Sequence, residues 1–166
     1  KWQNFFTAMA DDDETPTHQN AEEKLAADVE ANHPDMIVNR IYWDAYSRES
    51  TDVGVRYPAV TKAIKSQIKN GSLVMNYAGH GGEATLSDEY AMTLADFEEI
   101  TSPYLPMWVF ASCNVMPFDA NVSNIGESLI LKEKAGAIAV MASARTVYSN
   151  YNSALNMLLT KYLLAT

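Results

Sequence analysis

Short, nearly continuous apolar runs alternate with helical segments along the whole chain, and this alternation restricts the fold more than any other feature. Apolar runs of this kind are typical of parallel strands buried on both faces. Strands that alternate with helices predict right-handed crossovers and helices on both faces of one sheet. We therefore predict an α/β domain with a mostly parallel sheet. The predicted strands are Trp2–Ala10, Met36–Trp43, Leu73–Tyr77, Met107–Ala111 and Gly136–Ala142.

The segments between these strands carry helix signals. Apolar residues recur at helical spacing in each of them, and Thr93 with Asp96 forms a capping-box pattern. Asn70-Gly71 is a C-cap pattern. Asp44–Gly54 is predicted to be a polar loop, and Gly81–Thr93 a loop or a small hairpin. The predicted helices are Glu22–Ala31, Tyr57–Lys69, Thr93–Ile100, Ser123 or Asn124 to Lys134, and Ser153–Leu164.

Size and charge narrow the classes of function. A chain of 166 residues with 48% hydrophobic residues is large enough for one domain with a substantial core. The net charge is −9 and there is no basic block, so we do not expect nucleic acid as a partner. The single cysteine excludes an internal disulfide. Because the chain opens on KWQNFF and stops on an apolar helical run, we expect a piece of a longer precursor.

Two apolar runs end in residues that carry chemistry. LVMNYAGHGGE (Leu73–Glu83) ends in His80 between glycines, and MWVFASCN (Met107–Asn114) ends in Cys113. If both runs are neighbouring parallel strands, His80 and Cys113 meet in the crevice at the carboxyl edge of the sheet. An imidazole there favours the thiolate, and the N–H of Gly81 offers an oxyanion donor. The competing interpretation is a small buried cysteine and a structural glycine turn.

The acidic run Asp11-Asp12-Asp13-Glu14 follows the first strand and has three interpretations. It is compatible with a solvated turn, with a site for a hard cation such as calcium, or with a carboxylate that orients the imidazole. Asp13 and then Asp12 are the candidates for the orienting role. His18, just after the run, is a candidate to orient a group at the rim of the crevice.

Three further residues are candidates for substrate binding. Arg145 and Tyr148 lie in the loop after the fifth strand, at the same predicted edge of the sheet. Glu83 lies just past the His80 turn. Each is also compatible with a role in capping the fold or with simple solvation.

These residues resemble a known family. An apolar strand that ends in small-Gly-His-Gly, followed by one that ends in Ala-Ser-Cys, is similar to the caspase-like cysteine peptidases, and NYAGHGGE most resembles the gingipain family. Within that family VFASCNVMPFD, IGESLILKEKAGAIAVMAS and ARTVYSNYN look most like the sortase of the type IX secretion system. KWQNFFTAMADD resembles the opening of the same peptidase domain.

The resemblance implies a caspase-like three-layer sandwich and a set of site residues. It implies Cys113 as nucleophile, His80 as catalytic histidine, and the N–H groups of Gly81 and Cys113 as the oxyanion hole. Small residues along the substrate pocket match Ala78 and Ala111, and Asp13 best matches the carboxylate behind the histidine. Gingipains keep an acidic pocket residue for Arg or Lys near the position of Thr15, which is neutral here. Family members also bind calcium, which would place a structural ion at the acidic run.

The function that follows is cysteine endopeptidase activity through a thioester, with no cofactor needed for the chemistry. The resemblance implies that the enzyme removes carboxy-terminal signals from secreted proteins. It also implies an extracytoplasmic location, either secreted or attached at the bacterial outer membrane. The expected partners are a protein or peptide substrate, other domains of the precursor and the secretion machinery of the outer membrane.

Two other functions remain open at this point. A receiver-type regulatory module would use the acidic cluster to bind a metal, but it also needs an Asp after the third strand and a Lys after the fifth. His80 and Ser143–Arg145 occupy those places. A caspase-like domain without activity, serving as a scaffold or docking domain, is the second alternative.

Overall fold

A central sheet with helices on both faces is the frame of the computed structural model, which describes residues 1–12, 15–52, 54–133 and 135–165. Single turns of 3₁₀ helix lie at Trp2–Asn4 and Trp43–Ala45. In chain order the elements are β1 (Phe5–Ala10), α1 (Thr17–Asn32), β2 (Ile37–Tyr42), β3 (Glu49–Thr51), β4 (Gly54–Arg56), α2 (Pro58–Asn70), β5 (Val74–Ala78), β6 (Thr85–Leu86), β7 (Met92–Thr93), α3 (Leu94–Glu99), β8 (Met107–Ala111), α4 (Ile125–Leu131), β9 (Ala139–Ala142) and α5 (Ser149–Leu163).

The sheet has five strands in the order β2-β1-β5-β8-β9, and every neighbouring pair is parallel. Two parallel strands need a connection that returns the chain from the end of one strand to the start of the next, and the helices between the strands provide it. The prediction of an α/β fold with a parallel sheet and helices on both faces is confirmed.

The core is divided by the sheet into two layers, because successive side chains of a strand point to opposite faces. On β8, Trp108 and Phe110 pack with α2, α3 and α4, whereas Val109 faces α1 and α5. On β5, Met75 and Tyr77 belong to the first layer. These strands are therefore buried on both faces, which explains why the sequence shows continuous apolar runs rather than alternation.

Helix ends follow the local chemistry of the sequence. The predicted capping box is present, with the Thr93 hydroxyl accepting from the Asp96 N–H and the Asp96 carboxylate accepting from the Thr93 N–H. Gly71 ends α2 with a φ of +87°, as the C-cap pattern predicted. Of the two predicted caps for α4, Asn124 is the one used, and its side chain accepts from the Glu127 N–H.

Several predicted boundaries were wrong. The polar loop predicted at Asp44–Gly54 contains β3 and the first residue of β4, which pair as an antiparallel hairpin. β1 begins at Phe5 because the three residues before it form a 3₁₀ turn. α4 ends at Leu131, and α5 begins at Ser149, one turn earlier than predicted. Gly81–Thr93, predicted as a loop or a small hairpin, does contain a small hairpin, β6–β7. In the described part of the chain, no helix combines the length and apolarity needed to cross a membrane.

Candidate active site

The register of the sheet places the two predicted catalytic residues at one edge. Ala78 at the end of β5 pairs with Ala111 at the end of β8, and His80 and Cys113 each follow two residues later. Both side chains line one crevice of about 340 Å³, together with Ala78 and Ala111. His80 and Cys113 therefore lie in one crevice at the carboxyl edge of neighbouring parallel strands, as the sequence predicted.

Cys113 is half-buried and touches the loop between β9 and α5. Its sulfur lies 3.7 Å from the Val147 carbonyl oxygen and accepts a hydrogen bond from the Val147 N–H at 3.4 Å. The next residue, Asn114, has a φ of +51°, and its N–H donates to the Arg145 carbonyl at 3.3 Å. The β9–α5 loop thus holds the turn that presents the thiol to the crevice.

His80 combines a fixed backbone with an exposed side chain. Its N–H donates to Asp11 Oδ2 at 2.6 Å, and its carbonyl accepts from the Tyr77 hydroxyl at 2.7 Å and from the Ser87 N–H at 2.9 Å. The imidazole itself is exposed at the crevice. An anchored turn with a solvent-accessible ring is the arrangement that an acid–base residue needs.

Asp11 is the buried carboxylate of the site, with 2% of its surface exposed. Besides the His80 N–H, its Oδ2 accepts from the Tyr77 hydroxyl at 3.2 Å, and its Oδ1 lies 2.7 Å from Nδ1 of His18. The rings of His18 and His80 meet edge to face with centroids 5.0 Å apart. The sequence singled out His18 for the rim of the crevice, but it did not select Asp11 as the carboxylate nearest the His80 turn.

Asp12 faces a different set of residues. Its Oδ2 accepts from the Arg48 guanidinium and, at 2.8 Å, from the Tyr57 hydroxyl. The structure therefore directs this carboxylate toward Arg48 rather than toward the imidazole. Asp13 and Glu14 lie outside the described residues, so the predicted orienting role of Asp13 stays a prediction. The calcium site stays a prediction as well, and the carboxylates of Asp11 and Asp12 already contact different partners.

Gly81 sits where its N–H is not used by the hairpin that follows. Gly81 and Leu86 lie opposite each other in an antiparallel β-bridge. Flanking residues make its two hydrogen bonds: the Gly82 N–H donates to the Thr85 carbonyl, and the Ser87 N–H donates to the His80 carbonyl. A Cβ at Gly81 would lie 2.4 Å from Oγ of Ser112, so the serine side chain or the turn would have to move to accept any larger residue. The N–H predicted as an oxyanion donor is thus not engaged in strand pairing.

The remaining predicted residues divide between the crevice and its surroundings. Tyr148 lines the crevice beside Ala78 and Ala111. Glu83 and Arg145 lie outside this lining: Glu83 is exposed, and the Arg145 guanidinium makes two hydrogen bonds to Asp119, at 3.0 and 2.7 Å. That pairing lowers the pKa of the Asp119 carboxyl.

The sequence missed part of the crevice wall. The first turns of α5 contribute polar, uncharged side chains that line it: Ser149, Asn152 and Ser153. They were not predicted because the helix was expected to begin at Ser153 and the preceding residues were taken for a loop. The polar run TVYSNYNS, which begins four residues after the end of β9 at Ala142, is the signal that points to this wall.

The comparison with protein families decides the relationship. Residues 1–166 match the sequence profile of peptidase family C25 over their whole length. The chain belongs to peptidase family C25. It is a domain of the gingipain family of cysteine peptidases, and the predicted family is confirmed at that level. Family membership leaves the receiver-type regulatory module without support.

Solved structures share the fold of this family C25 domain. One is the Arg-specific cysteine proteinase gingipain R, with 18% identity over 98% of this chain, 38% of that chain, and a TM-score of 0.74. The complex of pro- and mature domains of RgpB from Porphyromonas gingivalis matches with 18% identity over 100% of this chain, 38% of that chain and a TM-score of 0.77. A third structure, described as a protease, has 16% identity over 94% of this chain, 32% of that chain and a TM-score of 0.72.

These similarities establish the caspase-like fold of the family C25 domain. The chain spans 38%, 38% and 32% of the lengths of these three structures. A comparison with curated proteins gave no match.

Proposed function

We propose that this family C25 domain is the catalytic part of a cysteine endopeptidase in which Cys113 is the nucleophile and His80 is the general acid and base. The observation that carries the proposal is that both side chains line one crevice at the carboxyl edge of β5 and β8. A thiol and an imidazole in one solvent-accessible crevice form the pair that covalent peptide hydrolysis requires.

In the proposed reaction, Sγ of Cys113 attacks the carbonyl carbon of the scissile peptide after its proton has passed to His80. The carbonyl oxygen becomes an oxyanion, which accepts hydrogen bonds from the N–H groups of Gly81 and Cys113. The intermediate collapses to a thioester, and the imidazolium protonates the departing amine. Water, deprotonated by His80, then hydrolyses the thioester and restores the thiol. The side chain of the substrate residue before the cut would lie against Ala78 and Ala111, beside Tyr148.

Two carboxylates have separate roles toward His80 in the proposed mechanism. Asp11 fixes the backbone of the histidine turn through the N–H at 2.6 Å, which positions the ring. Asp13 stays the predicted partner of the ring, as the resemblance implies. Asp11 is therefore proposed as a positioning residue and Asp13 as the orienting carboxylate.

The test uses the single thiol of the chain. We expect iodoacetamide to alkylate Cys113 in the full chain at least tenfold faster than N-acetylcysteine at pH 7, because a neighbouring imidazole favours the thiolate. His80→Ala should remove most of this advantage, whereas His33→Ala, at the far end of α1, should keep it. Alkylation of wild-type Cys113 at the rate of the model thiol would contradict the proposal.

Activity itself needs a second measurement, because a catalytically silent scaffold would keep the fold. A peptide with a thiol-reactive group at the scissile position should label Cys113 in wild type and fail to label the Cys113→Ala variant. Reactivity toward iodoacetamide without labelling by any member of a peptide-probe library would favour the scaffold. The library also reports the preferred residue before the cut.

The wider role that we propose is removal of carboxy-terminal signals from secreted proteins, by an enzyme secreted or attached at the outer membrane. Its support is the resemblance of VFASCNVMPFD and IGESLILKEKAGAIAVMAS to the type IX sortase. The proposed partners are the protein substrates, other domains of the precursor and the secretion machinery. Deletion of the gene should leave secreted proteins with their carboxy-terminal domains attached, as read by mass spectrometry.

A structural calcium at the acidic run should make thermal stability fall when a chelator is added.

A further inference from the structure

Three side chains at the proposed active site, one of them His80 of the catalytic pair, form a group that the peptidase mechanism does not use as a unit. Asp11, His18 and His80 can each present one ligand atom, and these three atoms lie within 4.8 Å of one another. They come from three separate places in the fold: the end of β1, the first turn of α1 and the turn after β5. The sheet register and the docking of α1 therefore bring them together.

The donor set selects a class of ion. Two imidazole nitrogens and one carboxylate oxygen suit zinc and similar transition cations, whereas calcium takes oxygen ligands. Zinc lies about 2.0–2.2 Å from such ligands. Three atoms within 4.8 Å of one another can share one ion once it replaces the 2.7 Å hydrogen bond between Asp11 Oδ1 and His18 Nδ1 and the exposed His80 ring turns toward it.

The carboxylate is held in the orientation that such a site needs. Its Oδ2 is occupied by the His80 N–H at 2.6 Å and the Tyr77 hydroxyl at 3.2 Å, so Oδ1 stays turned toward His18. Bonds of this kind around a ligating carboxylate orient it and strengthen metal binding. The site is also accessible, because His18 and His80 both line the crevice.

We propose that Asp11, His18 and His80 bind a divalent transition cation of the zinc class, and that the bound ion reversibly inhibits the peptidase. The ion occupies the imidazole lone pair of His80, which is then not available to take the proton of Cys113. The inhibition rests on the proposed function, whereas the binding of the ion does not. Binding and inhibition are therefore tested separately.

Binding is measured on the Cys113→Ala variant of the full chain, so that the thiol cannot hold the ion. Titration with zinc chloride in a calorimeter should show one site, and calcium chloride should not compete for it. Adding His18→Asn to this background should weaken zinc binding at least tenfold. Adding His33→Asn, a control histidine at the other end of α1, should leave zinc binding unchanged.

The proposal is overturned if Cys113→Ala binds no zinc, or if the His18→Asn and His33→Asn variants bind it equally well. Circular dichroism checks that each variant is folded. Should His18→Asn fail to fold, X-ray absorption at the zinc edge of loaded Cys113→Ala replaces it: two imidazoles and oxygen support the site, and any other ligand set overturns it. Inhibition is read on wild type as a loss of peptide-probe labelling that a chelator reverses. Zinc binding without labelling in zinc-free protein would contradict the proposed peptidase and leave the metal site intact.

Discussion

Glu22 is a carboxyl group buried inside the sandwich, and its burial should make stability depend on pH. It lies on α1 with 0% of its surface exposed, and Asn156 Nδ2 is 3.4 Å from its Oε2. Its Oε1 has no hydrogen-bond partner among the described residues. Because burial penalises the charged form, the pKa of Glu22 rises from 4.5 to about 8.

The sign of the effect follows from proton linkage. Between the unfolded pKa of 4.5 and the folded pKa of about 8, the folded chain holds a proton on Glu22 that the unfolded chain has lost. The free energy of unfolding therefore falls as pH rises through this window, by about 1.4 kcal/mol per pH unit. At pH 7 the loss relative to pH 4.5 is about 3 kcal/mol, a large part of the stability of an ordinary domain.

Glu22→Gln replaces the carboxyl group by an uncharged group of similar shape. We expect the variant to be more stable than wild type at pH 8 and to lose this advantage as pH falls to 5. Urea unfolding at pH 5, 6, 7 and 8 measures the difference in the free energy of unfolding between Glu22→Gln and wild type. The three histidines titrate in both proteins, so their contribution cancels in this difference. Glu23→Gln is the matched control: hydrogen bonds from Arg40 lower the pKa of Glu23, so its removal should not stabilise the protein at pH 8. An equal stability difference between wild type and Glu22→Gln at pH 5 and pH 8 would refute the reasoning.

Two further predictions concern the histidine turn. Tyr77→Phe removes the hydroxyl whose single proton is shared between the His80 carbonyl, at 2.7 Å, and the buried carboxylate of Asp11, at 3.2 Å, and should lower the free energy of unfolding by about 1–3 kcal/mol, as urea unfolding measures. In Gly81→Ala the new Cβ would lie 2.4 Å from Ser112 Oγ and 3.3 Å from Val115 Cγ2, and we expect the turn to shift and weaken the proposed oxyanion donor, so that kcat/KM falls by up to about 10²–10³-fold. Gly82→Ala, whose Cβ meets nothing within 4 Å, should retain activity, and equal losses in both variants would count against the assigned donor.

Most of the sheet could be predicted because its strands are short, apolar and buried on both faces. The bounds of β8 agree with the prediction at both ends, Met107 and Ala111. The β3–β4 hairpin could not be predicted, because all but one of its described residues are exposed and no apolar period marks it. The burial of Glu22 could have been predicted, because Glu22 lies one turn before Leu25 and Ala26 on the buried face of α1. A charged residue is not expected in a core, so the helical spacing alone did not indicate that this carboxyl group is buried.

The pairing of His80 with Cys113 could be predicted because it depends only on sheet polarity and on the strands being neighbours. The role of Asp11 depends on register, which the sequence does not specify. β1 and β5 pair with Ala10 beside Ala78, so the residue after each strand, Asp11 and Gly79, also come side by side. A Cβ at Gly79 would lie 2.6 Å from the Asp11 carboxyl carbon. The glycine before His80 therefore makes room for the carboxylate that fixes the histidine backbone. A shift of one residue in this register would have pointed a different acidic residue into the site and left Asp11 on the opposite face.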